Sequence, residues 1–131
     1  MELTRQYHFS AGHRLENPAF SPEDNARIYG PCYRPHGLKY LVEVTVGGQP
    51  DPVTGMAADL GALDAAVKRL VLDRVDHYDL SGAVEALAGV TTTGENLARA
   101  FWEWIEPAVP RGSLRRIAVV ETDNNTFEYR G

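Results

Sequence analysis

Hydrophobic and polar positions alternate along several stretches of this chain and recur at helical spacing in two others. Residues 37–47 alternate most cleanly. His36, Leu38, Tyr40, Val42, Val44 and Val46 share one side there, because successive side chains of a strand point to opposite faces. Residues 2–12 alternate more loosely, with Leu3, Tyr7, Phe9 and Ala11 facing one way and Thr4, Gln6, His8 and Ser10 the other, and read as a first strand. Residues 114–122 place Ile117, Val119 and Glu121 on one face. Asp123-Asn124-Asn125 reads as a hairpin turn, and residues 126–130 close the chain as a strand. Gly47 to Pro52 is a turn, and a short strand around 54–59 would complete a hairpin.

Leu63, Val67, Leu70, Val71 and Arg74 recur at helical spacing within residues 61–74. Thr92-Thr93-Gly94-Glu95 fits a capping box with Thr92 as N-cap and Glu95 three residues on. Leu97, Phe101, Trp104, Ile105 and Ala108 then line a second helix that ends near Pro107 and Pro110. A polar turn is expected over 76–82 and a short helical piece over 83–88. The proline-bearing stretch from Asn17 to Pro35 reads as a long irregular loop, a length that in small domains is often functional. The order is β-β-α-α-β-β, with the 54–59 strand as an extra. It predicts an α+β fold in one domain over residues 1–131, a four-stranded antiparallel sheet with two helices on one face. Two helices hide only that face. The strands carry enough further apolar residues to predict a symmetric homo-oligomer.

Composition narrows the function classes. A length of 131 residues suits one domain with a proper core. Thirteen basic against 18 acidic residues give a net charge of −5, which argues against a general nucleic-acid binder. No apolar run reaches membrane-spanning length, and Met1 to Gln6 lacks a signal peptide's apolar region, so a cytoplasmic protein is expected. The lone Cys32 excludes an internal disulfide and leaves either inert packing or a reactive thiol.

Histidines and carboxylates carry the remaining signal. His13 shares strand parity with Phe9 and Ala11, and His36 opens the inward face of the second strand. Paired opposite each other, two such residues would lie within about 5 Å. A His at both 36 and 38 would begin a zinc site, but position 38 is leucine, which has no electron pair to donate. Cys32 lies four residues before His36, and imidazoles or a metal nearby would favour its thiolate. Asp76-His77 is a pair in which the carboxylate can orient the imidazole for proton transfer, or simply a solvated turn. Glu121 falls where an apolar residue is expected. It either reaches solvent at the strand end or grips a ligand with adjacent N–H donors.

Together these pieces resemble the 6-pyruvoyl-tetrahydropterin synthase / 6-carboxytetrahydropterin synthase family over nearly the whole chain. Phe9 to Leu15 looks like its first-strand motif with a metal histidine, and Cys32 with His36-Gly37 like its catalytic cysteine and histidine-glycine-histidine motif. Gly55 to Leu60 resembles the segment entering the first helix, Asp76-His77 the aspartate-histidine pair, Thr93 to Leu97 the second helix start, and Glu121-Thr122 the pterin-anchoring glutamate. The three-residue gap between Cys32 and His36 looks like the bacterial carboxytetrahydropterin branch of 7-deazaguanine and queuosine biosynthesis.

The resemblance implies the tunnelling fold, trimers stacked as a homohexamer, active sites at subunit interfaces and 7,8-dihydroneopterin triphosphate as substrate. It implies Cys32, Asp76 and His77 as catalytic residues, Glu121 and Thr93 as pterin-binding residues, and zinc on His13 and His36. Arg14, Arg34 and Lys39 are candidates to meet the triphosphate. The family's third metal histidine is Leu38 here; His8, Cys32 and Glu16 are the candidates to replace it. Two other readings stay open: a metal-free paralogue with aldolase-type chemistry, for which Lys39 points the wrong way, and a non-catalytic pterin- or purine-binding protein.

Overall fold

The computed structural model of the chain describes residues 1–122 and 124–131. Four strands form one antiparallel sheet in the order β1-β2-β3-β4: β1 (Glu2–His13), β2 (His36–Gly47), β3 (Leu114–Thr122) and β4 (Asn125–Tyr129). The strands fall within about a residue of their sequence limits because alternation is a direct consequence of the pleat. Asp123, placed in the expected hairpin turn, lies outside the described residues.

Helix α1 (Pro22–Tyr29) and a 3₁₀ turn (Gly30–Tyr33) occupy the stretch expected to be irregular, which corrects that reading. Ser21 caps α1 by accepting from the Asp24 N–H, Pro22 sits in the first turn, and Glu23 and Asp24 meet its positive end. The helix shows no long apolar stripe. Its one buried side chain, Asn25, is polar and ties it to the Asn17 backbone at 2.8 and 3.1 Å.

Helix α2 runs as Leu60–Val67, widens into a π-helical turn over Lys68–Leu72 and ends as Asp73–Val75. The expected strand at 54–59 does not form. Asp51 instead accepts from the Val53 and Thr54 backbone N–H groups and turns the chain. A 3₁₀ turn at Glu85–Leu87 falls within the helical piece expected over 83–88.

Helix α3 (Gly94–Ile105) is capped by Thr93, which accepts from the Asn96 N–H at 3.3 Å, and not by Thr92 as the capping-box pattern suggested. Thr92 is turned into the core instead. The buried stripe of α3 is Leu97, Ala98, Phe101, Trp102 and Ile105. Trp104 is only partly covered, under Arg74, and Ala108 is exposed, because the helix rotates by about one position from the expected face. Gly94 lies hard against Phe127 of β4, where a Cβ would overlap the ring.

The core sits between this helical layer and the inner sheet face, built on Tyr40, Val42, Val44, Val67, Val71, Phe101, Ile117 and Val119. The opposite sheet face is more polar than expected. Arg116 pairs with Glu43 at 3.0 Å and Glu128 at 2.8 Å, Gln6 donates to Glu43 at 3.0 Å, and the Thr4 and Thr45 hydroxyls meet at 2.7 Å. Among the described residues no helix is long and apolar enough to cross a membrane.

Candidate functional site

His13 and His36 are direct partners in the β1–β2 register, with ring centroids 4.5 Å apart and planes at 66°. The Nδ1 of His36 lies 2.7 Å from the Arg34 carbonyl oxygen, and that of His13 lies 3.2 Å from the Thr92 carbonyl oxygen. A carbonyl only accepts, so each Nδ1 donates there, and in the neutral ring the Nε2 is left with its lone pair. Burial, and secondarily the charge of His36, hold the His13 pKa below its ordinary value. The His13 ring is thereby biased toward its neutral form. Thr92 was missed as a functional residue; its Oγ1 also lies 3.2 Å from His13 Nδ1, and sequence offered it only as a helix cap.

These histidines line a recess of about 640 Å³ with Arg14, Glu16, Asp79 and Ser81. Asp79 arrives through an isolated parallel bridge to Gly12. Two imidazoles with free Nε2 atoms fit a metal in part, but Leu38 contributes no donor. No group of three His, Cys, Asp or Glu among the described residues is placed to hold an ion. The candidate replacements do not close the gap. Glu16 is engaged by Arg14 at 2.8 Å, and Cys32 is exposed on the turn after α1. β1 pairs without a break from Glu2 to His13, so no bulge turns His8 inward. The donor set thus falls one short of the three protein ligands usual for catalytic zinc.

Asp76 and His77 follow the end of α2. Asp76 Oδ1 accepts from the Ser10 N–H at 3.0 Å and lies 2.9 Å from His77 Nδ1. The His77 N–H donates to the Ser10 carbonyl at 2.7 Å, which fastens the pair to β1, an edge strand. His77 has φ 65°, a left-handed conformation in which glycine is the usual residue after a helix. A histidine kept there, 82% exposed, holds its imidazole out from the surface with Nδ1 facing a carboxylate. A carboxylate so placed orients the imidazole and fixes which ring nitrogen faces it.

Glu121 is half-buried at a β-bulge, where the β3–β4 register shifts between Val120 and Thr122. Bulges re-aim side chains next to sites. Burial first, and the Glu95 carboxylate second, raise its pKa, while His36 lowers it. Glu121 therefore belongs with His36 and the start of α3. Thr93, the α3 cap, stands at the same helix end. Arg34 and Lys39 are exposed, and Lys39 lies on the strand face opposite Leu38.

Within one chain the structure brings His13 and His36 together, while Glu121 stands within electrostatic reach of His36 and Glu95. The described residues lining the histidine recess include neither Cys32 nor His77.

The family described as 6-pyruvoyl tetrahydropterin synthase matches residues 2–131. The chain is 38% identical over 132 residues to the 6-pyruvoyl tetrahydrobiopterin synthase of Homo sapiens, covering 99% of this chain and 91% of that one. It is 41% identical over 131 residues to the protein of that name from Poecilia reticulata, covering 98% and 89%. The solved structure of Caenorhabditis elegans 6-pyruvoyl tetrahydropterin synthase superposes with a TM-score of 0.93 at 34% identity, covering 100% of this chain and 95% of that one. The expected tunnelling-fold architecture is borne out.

Proposed function

Because the chain belongs to the 6-pyruvoyl tetrahydropterin synthase family, we propose that it is a pterin lyase acting on 7,8-dihydroneopterin triphosphate. The observation that carries this is Glu121: a half-buried carboxylate on an otherwise apolar strand face, at the register shift between β3 and β4. Its oxygens accept from the adjacent N–H groups of the pterin ring, and Thr93 assists at the α3 start. Cys32, as thiolate, removes the proton from the side-chain carbon next to the ring. His77, oriented by Asp76, returns or takes a proton as the triphosphate leaves. Zinc held by His13 and His36 would polarise the side-chain hydroxyls. Leu38 leaves that set a donor short, so proton transfer rests on Cys32 and the Asp76–His77 pair.

Cys32 is exposed and His77 stands out from edge strand β1, which supports sites completed between copies in a homohexamer built as a dimer of trimers. The three-residue gap between Cys32 and His36 favours the 6-carboxytetrahydropterin synthase type, of the 7-deazaguanine pathway. The names of the relatives favour a second reading, the 6-pyruvoyl type. Incubation of the purified protein with 7,8-dihydroneopterin triphosphate tests both. Acetaldehyde release with a 6-carboxypterin product identifies the first type. Triphosphate release with a 6-pyruvoyl product and no acetaldehyde identifies the second. An intact substrate after prolonged incubation ends the lyase reading.

A further inference from the structure

Tyr40 carries a polar atom that the chemistry above does not use. Its side chain is 1% exposed; its ring stacks on Phe9 with centroids 4.7 Å apart and stands edge-on to His13 at 6.1 Å. Its hydroxyl is fully buried and, among the described residues, has no hydrogen-bond partner. Phenylalanine would pack the same way without desolvating an O–H, and buried hydroxyls are costly when left unpaired. The surroundings indicate where a partner would come from. One step beyond the last β2–β3 pair, Leu41 and Val120, come Tyr40 and Glu121, on the inner face. The Glu121 carboxylate is near enough to add to the upward shift of the Tyr40 pKa that burial begins. A phenol O–H is a hydrogen-bond donor as it stands. Leu38, two residues earlier on the same strand face, offers no competing polar group.

A phenol donor and a carboxylate acceptor, one register step past Leu41 and Val120 on the inner face, match a ring edge that alternates N–H with C=O. We propose that Tyr40 is a ligand-binding residue whose O–H donates to the ring carbonyl adjacent to the N–H that Glu121 accepts, selecting oxo-pterins over their amino counterparts. The inference rests on the pterin reading of Glu121 and adds the residue that reads the carbonyl. With Glu121 alone, the site recognises N–H groups. With Tyr40 beside it, the site distinguishes a cyclic amide from an amidine.

The test is equilibrium binding of neopterin and of a 2,4-diaminopteridine, which replaces the ring carbonyl by an amino group, to the wild type, Tyr40→Phe and Glu121→Gln. Tyr40→Phe is expected to weaken neopterin binding about tenfold, the scale of one buried hydrogen bond, and to leave the diamino ligand unchanged. Its unfolding midpoint is expected to equal or exceed the wild type's, since the variant removes an unpaired group. Unchanged neopterin affinity in Tyr40→Phe, while Glu121→Gln loses it, overturns the Tyr40 role and leaves the pterin reading standing. Equal losses for both ligands overturn the carbonyl assignment. A clear drop in the unfolding midpoint shows that the hydroxyl has a structural partner and also overturns it. Failure of the wild type to bind neopterin removes the pterin reading and this inference with it.

Discussion

His13 and His36 meet across two hydrogen-bonded strands; Asp76 and His77 meet across one peptide bond. The distant pair is the finished one. Its rings are 4.5 Å apart, both Nδ1 atoms are anchored on backbone carbonyls, and His13 is 3% exposed. The adjacent pair is the open one, with His77 82% exposed at φ 65° on the rim of an edge strand. Sequence proximity thus says little about how complete a site is. Strand register brings remote groups together, burying His13 and half-burying His36. A helix end presents neighbouring groups outward, toward solvent. The buried pair is limited by its third position, Leu38, and the exposed pair by what comes to face it.

The largest expected effect breaks the exposed pair. His77→Gly suits the left-handed backbone, so the variant should be as stable as the wild type or more stable by about 1 kcal/mol. It should nonetheless lose about 10²- to 10⁴-fold in kcat/KM on 7,8-dihydroneopterin triphosphate, the usual contribution of a positioned acid–base group. Steady-state kinetics beside a denaturation curve check both halves. A variant as active as the wild type would show that the imidazole is a solvated turn residue.

A second change sharpens the buried pair. Leu38→His places an imidazole on the same strand face as His36. The zinc retained after gel filtration should rise from well below one equivalent per chain to near one, measured by elemental analysis. If the variant retains no more zinc than the wild type, His13 and His36 do not present their Nε2 atoms to a common point.

The smallest effect is the pH response of the buried pair, measured with a chelator present. Burial and His36 hold the His13 pKa below its ordinary 6.5, so the unfolded chain takes up the proton first as pH falls. Stability from this source is full above about pH 6.5 and is lost as pH drops through the folded value. His13→Gln should flatten the pH dependence of the urea midpoint between pH 8 and 5.5 relative to the wild type. Parallel curves for the two proteins would place His13 in a solvated environment.

The strands were legible because alternation on a pleated sheet leaves a direct trace, and the inward parity of His13, His36 and Glu121 came with them. Helix α1 was not, although Ser21-Pro22-Glu23-Asp24 carries a start signal, because its one buried residue is a hydrogen-bonded asparagine and not part of an apolar stripe. The capping-box pattern pointed to Thr92 as the cap; the fold turns Thr92 onto His13 and starts the helix from Thr93, with Gly94 packed on Phe127.

The amino-acid order by itself determined which groups exist and which faces they favour: a thiol, two inward imidazoles, an out-of-place carboxylate, an Asp-His pair and a leucine where a donor was expected. Tertiary structure alone decided that His13 opposes His36, that Glu121 sits where the β3–β4 register shifts, that Asp76 and His77 are fastened to the sheet edge, and that among the described residues the buried Tyr40 hydroxyl has no partner. Parity is a property of one strand and is written locally. Register, bulges and the satisfaction of a buried hydroxyl depend on what lies across from each residue, and only the folded chain specifies that.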